Sequence, residues 1–122
     1  MSDTRHLLGH RAEEATAAWL SACGWTVLSQ RWRRSEGELD LVCRDPEGVV
    51  VAIEVKLRSG SRAGQALESI DRRRIRRLRA ALGSYAASER VTTPMGLRID
   101  LVTVTPAGTG WRLARYASID EW

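Results

Sequence analysis

The sequence predicts one α/β domain, residues 1–122, in which helices flank a mixed β-sheet in the order αβββαββ. Two segments with helical periodicity alternate with five segments of strand-like alternation. One strand segment is apolar on both faces, which is typical of a central strand covered on both sides. The chain is also long enough to bury one core. Together these observations favour a layered α/β domain.

The first helix is predicted over residues 6–23, because apolar residues recur there every three or four positions. This stripe consists of Leu8, Ala12, Ala15, Trp19 and Cys23. Gly24 follows as a left-handed cap. The first strand is predicted over residues 25–33, and a turn at Gly37 leads into the second, residues 38–44.

In the second strand, strict alternation predicts that Leu39, Leu41 and Cys43 share one face and Glu38, Asp40 and Val42 the other. The segment Asp45-Pro46-Glu47-Gly48 is a tight turn, which joins the second and third strands in a hairpin.

The third strand, residues 49–58, is the central one. Alternation separates a wholly apolar face from a second face that carries Val50, Ala52, Glu54, Lys56 and Arg58. Residues 59–65 are rich in glycine and serine and predict a mobile loop.

The second helix is predicted over residues 71–87, with Asp71 as its N-cap and Ile70 as a hydrophobic staple. Its buried stripe consists of Ile75, Leu78, Leu82 and Tyr85. A final hairpin joins strands at residues 97–104 and 111–117.

The composition indicates a cytoplasmic protein with a polyanionic partner. No window approaches the roughly 18 apolar residues of a membrane span, and the first ten residues lack the apolar stretch of a signal peptide. Cys23 and Cys43 both fall on predicted core faces, which fits free thiols better than a disulfide. A net charge of +4 and a pI near 9.8 favour nucleic acid.

The chain contains a single lysine, Lys56, among its 19 basic residues. All the remaining basic residues are arginine, so the one lysine indicates a position where a compact ammonium is needed. Glu54 lies two residues earlier, about 6.6 Å away on the same strand face. A neighbouring strand can bring Asp40 beside Glu54, and two carboxylates favour Mg²⁺ or Mn²⁺ over zinc.

Such a site resembles that of a metal-dependent phosphodiesterase, in which Lys56 orients the attacking water or neutralises developing charge on the phosphate. The same three side chains can instead form a structural salt bridge within the sheet. A buried ion pair is a poor device for stability, which favours the functional interpretation.

Four segments resemble signatures of the YraN-like bacterial family, which is assigned to the restriction-endonuclease-like, PD-(D/E)XK superfamily. These segments are Ala12-Glu13, residues 37–42, residues 53–58 and residues 97–102. The resemblance runs from about Gly9 to Val104, and it implies a restriction-endonuclease-like fold that is similar to archaeal Holliday-junction resolvases.

The resemblance also implies roles for individual residues. Glu13 matches a helix glutamate that helps to hold a metal or its water, Asp40 and Glu54 match the metal-binding carboxylates, and Lys56 matches the catalytic lysine. Four positions depart from the family's usual residues, and none of them is a presumed catalytic position. These are Ala12 for glycine, Arg31 for asparagine, Ala63 for an aromatic residue and Arg74 for lysine.

Arginines surround the predicted cleft. Six of them, Arg72, Arg73, Arg74, Arg76, Arg77 and Arg79, crowd the second helix, and their mutual repulsion is tolerated more easily when a polyanion is bound. The predicted nucleic-acid contacts are Arg33, Arg34, Arg58, Arg62, Arg73, Arg74 and Arg77. A solvated face with Glu68 and Asp71 as partners is the alternative.

Three further features carry weaker predictions. His6 and His10 have a zinc-ligand spacing but no completing pair, so a zinc site is not expected. Trp32, flanked by arginines, is a candidate for stacking on a splayed base, whereas Trp19, Trp25 and Trp111 are expected in the core. Asp100 matches a family aspartate, but a structural hydrogen-bonding role is an equal alternative.

The sequence therefore predicts a Mg²⁺- or Mn²⁺-dependent nuclease that acts on DNA, with branched DNA as a candidate substrate. The alternative is a non-catalytic nucleic-acid-binding protein with a nuclease-like fold. A homodimer fits the first hypothesis, because resolving a two-fold junction takes two sites.

Overall fold

The computed structural model describes residues 2–58 and 70–121, and it confirms the predicted element order αβββαββ. The elements are α1 (Ser2–Ala22), β1 (Thr26–Arg34), β2 (Gly37–Arg44), β3 (Val50–Leu57), α2 (Arg72–Ser88), β4 (Leu97–Ala107), β5 (Gly110–Tyr116) and a short 3₁₀-helix (Ile119–Glu121). The predicted loop at 59–65 lies outside the described residues. Within the described ranges, no helix is both long and apolar enough to cross a membrane.

The five strands form one sheet in the order β1-β2-β3-β4-β5. Every neighbouring pair is antiparallel except β3 and β4, which run parallel from Val50↔Leu97 to Leu57↔Val104. A parallel pair requires a crossover connection, and the segment that contains α2 provides it. β3 thus occupies the centre of the sheet, as its two apolar faces predicted.

Two buried clusters lie on opposite faces of the sheet. The α1-side core consists of Ala12, Ala17, Leu20, Leu41, Cys43, Val51, Ile53, Val102 and Val104. The α2-side core consists of Trp32, Leu39, Val42, Val50, Ala52, Leu78, Ala81, Leu82, Tyr85, Ile99, Leu101 and Ile119. The alternating residues of β3 contribute to both cores, so this strand is covered twice.

The buried face of α1 differs from the predicted stripe. Leu8 is 36% exposed and Cys23 is exposed, whereas Thr16 faces the protein interior. Thr16 can do so because its hydroxyl donates to the Ala12 carbonyl oxygen at 2.8 Å and leaves no unpaired polar group. Cys23 follows the last helical residue, so it cannot extend the stripe; only Cys43 is a buried thiol.

The predicted face of β2 is wrong at one position. Leu41 and Cys43 pack in the α1-side core, but Leu39 packs with Trp32 in the α2-side core. The pairing of β2 with β3 runs from Arg44↔Val50 only as far as Leu41↔Ile53. Strict alternation therefore fails where β2 leaves its neighbour.

The helix α2 follows its prediction closely. Asp71 caps it by accepting a 2.8 Å hydrogen bond from the Arg74 N–H. Leu78, Leu82 and Tyr85 are buried. α2 covers β2 and β4 from one side of the sheet. Its first turn reaches Glu54 through Arg74, close to the place where the pairing of β2 with β3 stops.

The prediction that Trp32 stacks on a nucleic-acid base is wrong. Its side chain is buried at 4% exposure, and its ring meets that of Tyr85 edge-on at 5.7 Å. Arg31 precedes it with a φ of 52°, a left-handed conformation that interrupts the regular alternation of β1. The ring therefore faces the core under α2 and offers no surface to a base.

Candidate functional site

The candidate site lies where β2 and β3 separate. Beyond the Leu41↔Ile53 pair, the Asp40 carboxylate enters the gap, and its Oδ2 accepts a 2.9 Å hydrogen bond from the Val55 N–H. A side chain thus satisfies a donor of β3 that no longer pairs with β2. The Asp40 side chain is therefore half-buried between the two separating strands.

Glu54 lies beside Asp40 on the α2 face of β3 and is 3% exposed. The two carboxyl groups, hereafter the carboxyl pair, lie close enough together for a protonated Asp40 to donate a hydrogen bond to Glu54. Burial, followed by the negative charge of Glu54, raises the pKa of Asp40 from 3.8 to about 8. The site therefore holds a proton near neutral pH that ordinary aspartates have lost.

Arg74, from the first turn of α2, is the main cation at the carboxyl pair. Its Nε and Nη2 both lie 2.8 Å from Glu54 Oε2. Burial alone raises the pKa of Glu54, but the hydrogen bonds from Arg74 and Asp40 outweigh it, so the pKa is lowered. Glu54 is consequently the charged member of the pair, and Asp40 the protonated one.

Glu13 approaches from α1, on the other side of the sheet. Its Oε1 lies 2.9 Å from Arg31 Nε, yet the N–H does not point at the oxygen, so both buried atoms lack a well-aligned hydrogen bond. Burial raises the pKa of Glu13, and the nearby charge of Arg31 opposes the rise. The Glu13 charge in turn contributes to the raised pKa of Asp40.

Lys56 follows Glu54 by two residues on the same strand and is half-buried. Its ammonium contributes to the lowered pKa of Glu54, though less than Arg74 does. β3 therefore carries a carboxylate and an ammonium, those of Glu54 and Lys56, on one face, as the alternation of the sequence predicted.

The oxygen donors of this site fit a hard divalent cation. The neighbouring carboxyl groups of Asp40 and Glu54 offer the oxygen ligands that such an ion prefers, and among the described residues Glu13 Oε1 has no well-aligned hydrogen-bond donor. However, no three Asp, Glu, His or Cys side chains converge into a complete metal cluster within residues 2–58 and 70–121. Asp40 and Glu54 are the central candidate ligands, and Glu13 is a further candidate from the α1 side.

The predicted nucleic-acid contacts occupy two surfaces. Arg73 and Arg77 are exposed on α2. Arg33 and Arg34 are exposed at the end of β1, where the Arg34 guanidinium lies 5.4 Å above the Trp32 ring. Arg58 is half-buried at the end of β3, and its Nη1 donates to the Leu57 carbonyl oxygen at 2.9 Å. Arg62 lies outside the described residues.

The basic residues of α2 are not all equivalent. Arg74 is held by Glu54, and Arg79 Nη1 lies 3.2 Å from Asp120 Oδ2 in the 3₁₀-helix. Asp71, a predicted partner of the run, is instead the helix cap, and Glu68 lies outside the described residues. Arg79 is exposed despite its pair, and Arg72, Arg73, Arg76 and Arg77 are exposed and form no ion pair with the residues that the structure describes.

Asp100 has the structural role that the sequence left open. It is fully buried, and it accepts hydrogen bonds from the Arg98 guanidinium at 2.8 and 3.0 Å, from Arg115 at 2.9 Å and from the Ser118 N–H at 2.9 Å. Arg98 also donates to Asp45 at 2.9 Å. By alternation this cluster, hereafter the Asp100 network, lies on the sheet face opposite to Glu54.

Sequence reasoning missed two relationships. It placed Arg74 among the nucleic-acid contacts, but the Glu54–Arg74 pair spans 20 residues and depends on the crossover, so no local pattern reveals it. It also missed the Asp100 network. The signal for that network was Arg98 and Asp100 two residues apart on one strand, a spacing that places both on one face.

Comparison with known proteins assigns a family to this chain. The model of the uncharacterised protein family UPF0102 matches residues 12–104, a range that includes Glu13, Asp40, Glu54 and Lys56. A UPF0102 protein from Methylococcus capsulatus is 41% identical over 106 residues, which cover 87% of this chain and 84% of the relative. A UPF0102 protein from Frankia alni is 40% identical over 103 residues, or 84% of each chain. A third, from Kineococcus radiotolerans, is 38% identical over 98 residues, or 80% of each chain. The chain belongs to the uncharacterised protein family UPF0102.

Proposed function

We propose that this protein is a Mg²⁺- or Mn²⁺-dependent nuclease that hydrolyses phosphodiester bonds in DNA, with branched DNA as a candidate substrate. The observation that carries the proposal is the carboxyl pair, in which buried Glu54 and half-buried Asp40 lie together where β2 and β3 separate, with Lys56 on the same face as Glu54. Two carboxyl groups held together with little access to solvent cost stability, and such an arrangement is typical of functional sites.

In this proposal Asp40 and Glu54 hold the metal ion, and Glu13 positions a ligand or a water from the α1 side. The ion, when bound, polarises the scissile phosphate and lowers the pKa of a water. Lys56 supplies a positive charge to the reacting phosphate and orients the attacking water through its N–H donors. Val55 fixes the direction of the Asp40 carboxylate through its N–H.

The exposed arginines bind the phosphate backbone in the same proposal. Arg73 and Arg77 on α2 and Arg33 and Arg34 on β1 offer guanidinium groups on the protein surface. Contacts of this kind fix the position of a nucleic acid without reading its sequence. We therefore expect recognition by DNA shape, and a cytoplasmic homodimer is the assembly that suits a two-fold junction.

One observation favours a second candidate function. Arg74 already neutralises Glu54 with two N–H groups on one oxygen, as a bound ion would otherwise do. If Arg74 stays paired with Glu54, no metal ion can take its place. The second candidate is therefore a nucleic-acid-binding protein that has no catalytic activity.

Incubation with linear, nicked, flap and four-way DNA, with and without Mn²⁺, tests the proposal. Metal-dependent cleavage by the wild type, absent in Asp40→Asn, supports the nuclease. The control is Glu36→Gln, because Glu36 is an exposed acid in the turn before β2 and its loss should leave cleavage intact. Binding of these DNAs without cleavage under any metal condition contradicts the nuclease and favours the binding module.

A further inference from the structure

Arg74 and Glu54 differ sharply in their access to solvent. The Glu54 side chain is 2% exposed, whereas that of Arg74 is 38% exposed, although their charged ends are in contact at 2.8 Å. Glu54 is fixed on the central strand and cannot turn outward. Arg74 stands on a long side chain at the protein surface, so it can leave the contact by changing rotamers without unfolding α2.

The position of Arg74 in α2 adds a second argument. Arg72, Arg73 and Arg74 occupy the first turn, where the helix dipole is positive, and Asp71 at the N-cap supplies one carboxylate against these three cations. Cations at this end of a helix are unfavourable, and a bound anion relieves the cost. Arg77 is exposed and follows Arg74 by three residues, so the two side chains are neighbours on the helix surface, and a phosphate that reaches Arg77 comes within reach of Arg74 as well.

Glu54 cannot serve two cations equally. Both N–H contacts from Arg74 converge on Oε2, and the remaining carboxylate interaction is with Asp40. A divalent ion held by the carboxyl pair would lie close to the guanidinium and be repelled by it. Removal of Arg74 from Glu54 therefore favours metal binding, and retention of Arg74 opposes it.

From these contacts we infer that Arg74 is an exchangeable counter-ion, paired with Glu54 in the free protein and with a phosphate of the nucleic acid in the complex. The exchange frees Glu54 for the metal ion. This inference rests on the proposed function and adds its regulation: DNA and metal bind cooperatively, and by linkage each increases the affinity for the other by the same factor. The site then loads its metal mainly when substrate is present.

The test compares wild type with Arg74→Gln, in which the amide is neutral. Calorimetry measures Mn²⁺ affinity without DNA, and fluorescence anisotropy measures affinity for a labelled duplex with phosphorothioate linkages, which keep the backbone charge and resist hydrolysis. In the wild type, Mn²⁺ should raise DNA affinity roughly tenfold. In Arg74→Gln, Mn²⁺ alone should bind roughly tenfold more tightly, and its effect on DNA affinity should fall to about twofold or less.

Arg73→Gln is the matched control. It removes the same charge from an exposed arginine that precedes Arg74 by one residue in the same helical turn. It should weaken DNA binding but keep the coupling to Mn²⁺. If Arg74→Gln does not fold, Arg74→Lys replaces it; a lysine offers one point charge in place of the planar fork, and the coupling should then be reduced but present.

The outcomes separate the two proposals. The first outcome is that the wild type binds Mn²⁺ with an affinity that changes neither with DNA nor with the Arg74 substitution. This outcome overturns the exchange and leaves the metal site intact. A wild type and variant that bind DNA but no Mn²⁺ overturn the metal-dependent function, and the exchange with it.

Discussion

Asp40 completes the hydrogen bonding of β3 through its side chain: its Oδ2 takes the Val55 N–H at 2.9 Å at the point where the β2 backbone has moved away. One residue thus ends the pairing of two strands and places a carboxylate next to Glu54. Any substitution that keeps an acceptor at this position should preserve the local fold while changing its charge.

The carboxyl pair predicts a specific metal response. Asp40→Asn and Glu54→Gln should each abolish Mn²⁺ binding measured by calorimetry, because each removes an anionic oxygen donor and keeps the side-chain volume. Circular dichroism should show that both variants fold. Unchanged Mn²⁺ affinity in both variants would rule out this pair as the metal ligands, whereas Glu36→Gln should have no effect.

The raised pKa of Asp40 predicts a pH dependence of stability in the absence of metal. The folded protein binds a proton at Asp40 up to about pH 8, but the unfolded chain loses it near 3.8. The folded state therefore holds more protons in this window, and the free energy of unfolding falls as pH rises through it. Since one pKa unit corresponds to about 1.4 kcal/mol, the loss between pH 6 and pH 8 should be on the order of 2 kcal/mol.

Urea unfolding in EDTA at these two pH values measures this effect. Asp40→Asn, which has no proton to lose, should show a much smaller fall. An equal fall in wild type and variant would assign the pH dependence to other groups.

The exposed side of α2 predicts the salt dependence of DNA binding. Arg73 and Arg77 are exposed, so replacing both with glutamine should weaken binding to all duplexes alike. Each lost phosphate contact should lower the slope of log K against log salt by roughly 0.9. Arg79→Gln is the control, because its guanidinium already pairs with Asp120. An unchanged slope in the double variant would show that this helix faces something other than DNA.

The single lysine predicts a strong preference for an ammonium. On a DNA that the wild type cleaves, Lys56→Arg should lose roughly a hundredfold or more in rate, because the guanidinium is larger, planar and never gives up its proton. Arg58→Lys, the reverse exchange two residues further along the chain and just beyond the end of β3, should be tolerated. Near-wild-type cleavage by Lys56→Arg would reduce Lys56 to a counter-charge for Glu54 and favour the binding module.

The sequence was sufficient for the fold because its elements carry strong local signals. Alternation along β3 and the Asp71 cap depend on neighbouring residues, and both appear in the structure at the expected positions. The buried face of α1 could not be read in this way. Thr16 is a polar residue, but it can be buried because its hydroxyl donates a hydrogen bond to the Ala12 carbonyl oxygen. The periodicity of apolar residues does not reveal that hydrogen bond.

The candidate site was predictable in part for the same reason. Glu54 and Lys56 share a strand face by simple alternation, but the partner of Glu54 follows from the tertiary arrangement of α2. Trp32 shows the opposite error. Its arginine neighbours suggested exposure, yet the left-handed backbone at Arg31 accompanies a ring turned into the core, a conformation that residue type alone does not indicate.

The Asp100 network suggests where this protein can be altered without disturbing the carboxyl pair. Every buried oxygen of Asp100 has donors, and Arg98 and Arg115 also lie over the Trp25 ring at 5.8 and 5.1 Å. Within this network the carboxylates of Asp45 and Asp100 are matched by the guanidinium groups of Arg98 and Arg115. Stabilising substitutions around the Asp100 network should therefore raise the melting temperature. They should leave the carboxyl pair, on the opposite face of the sheet, free to acquire a new specificity.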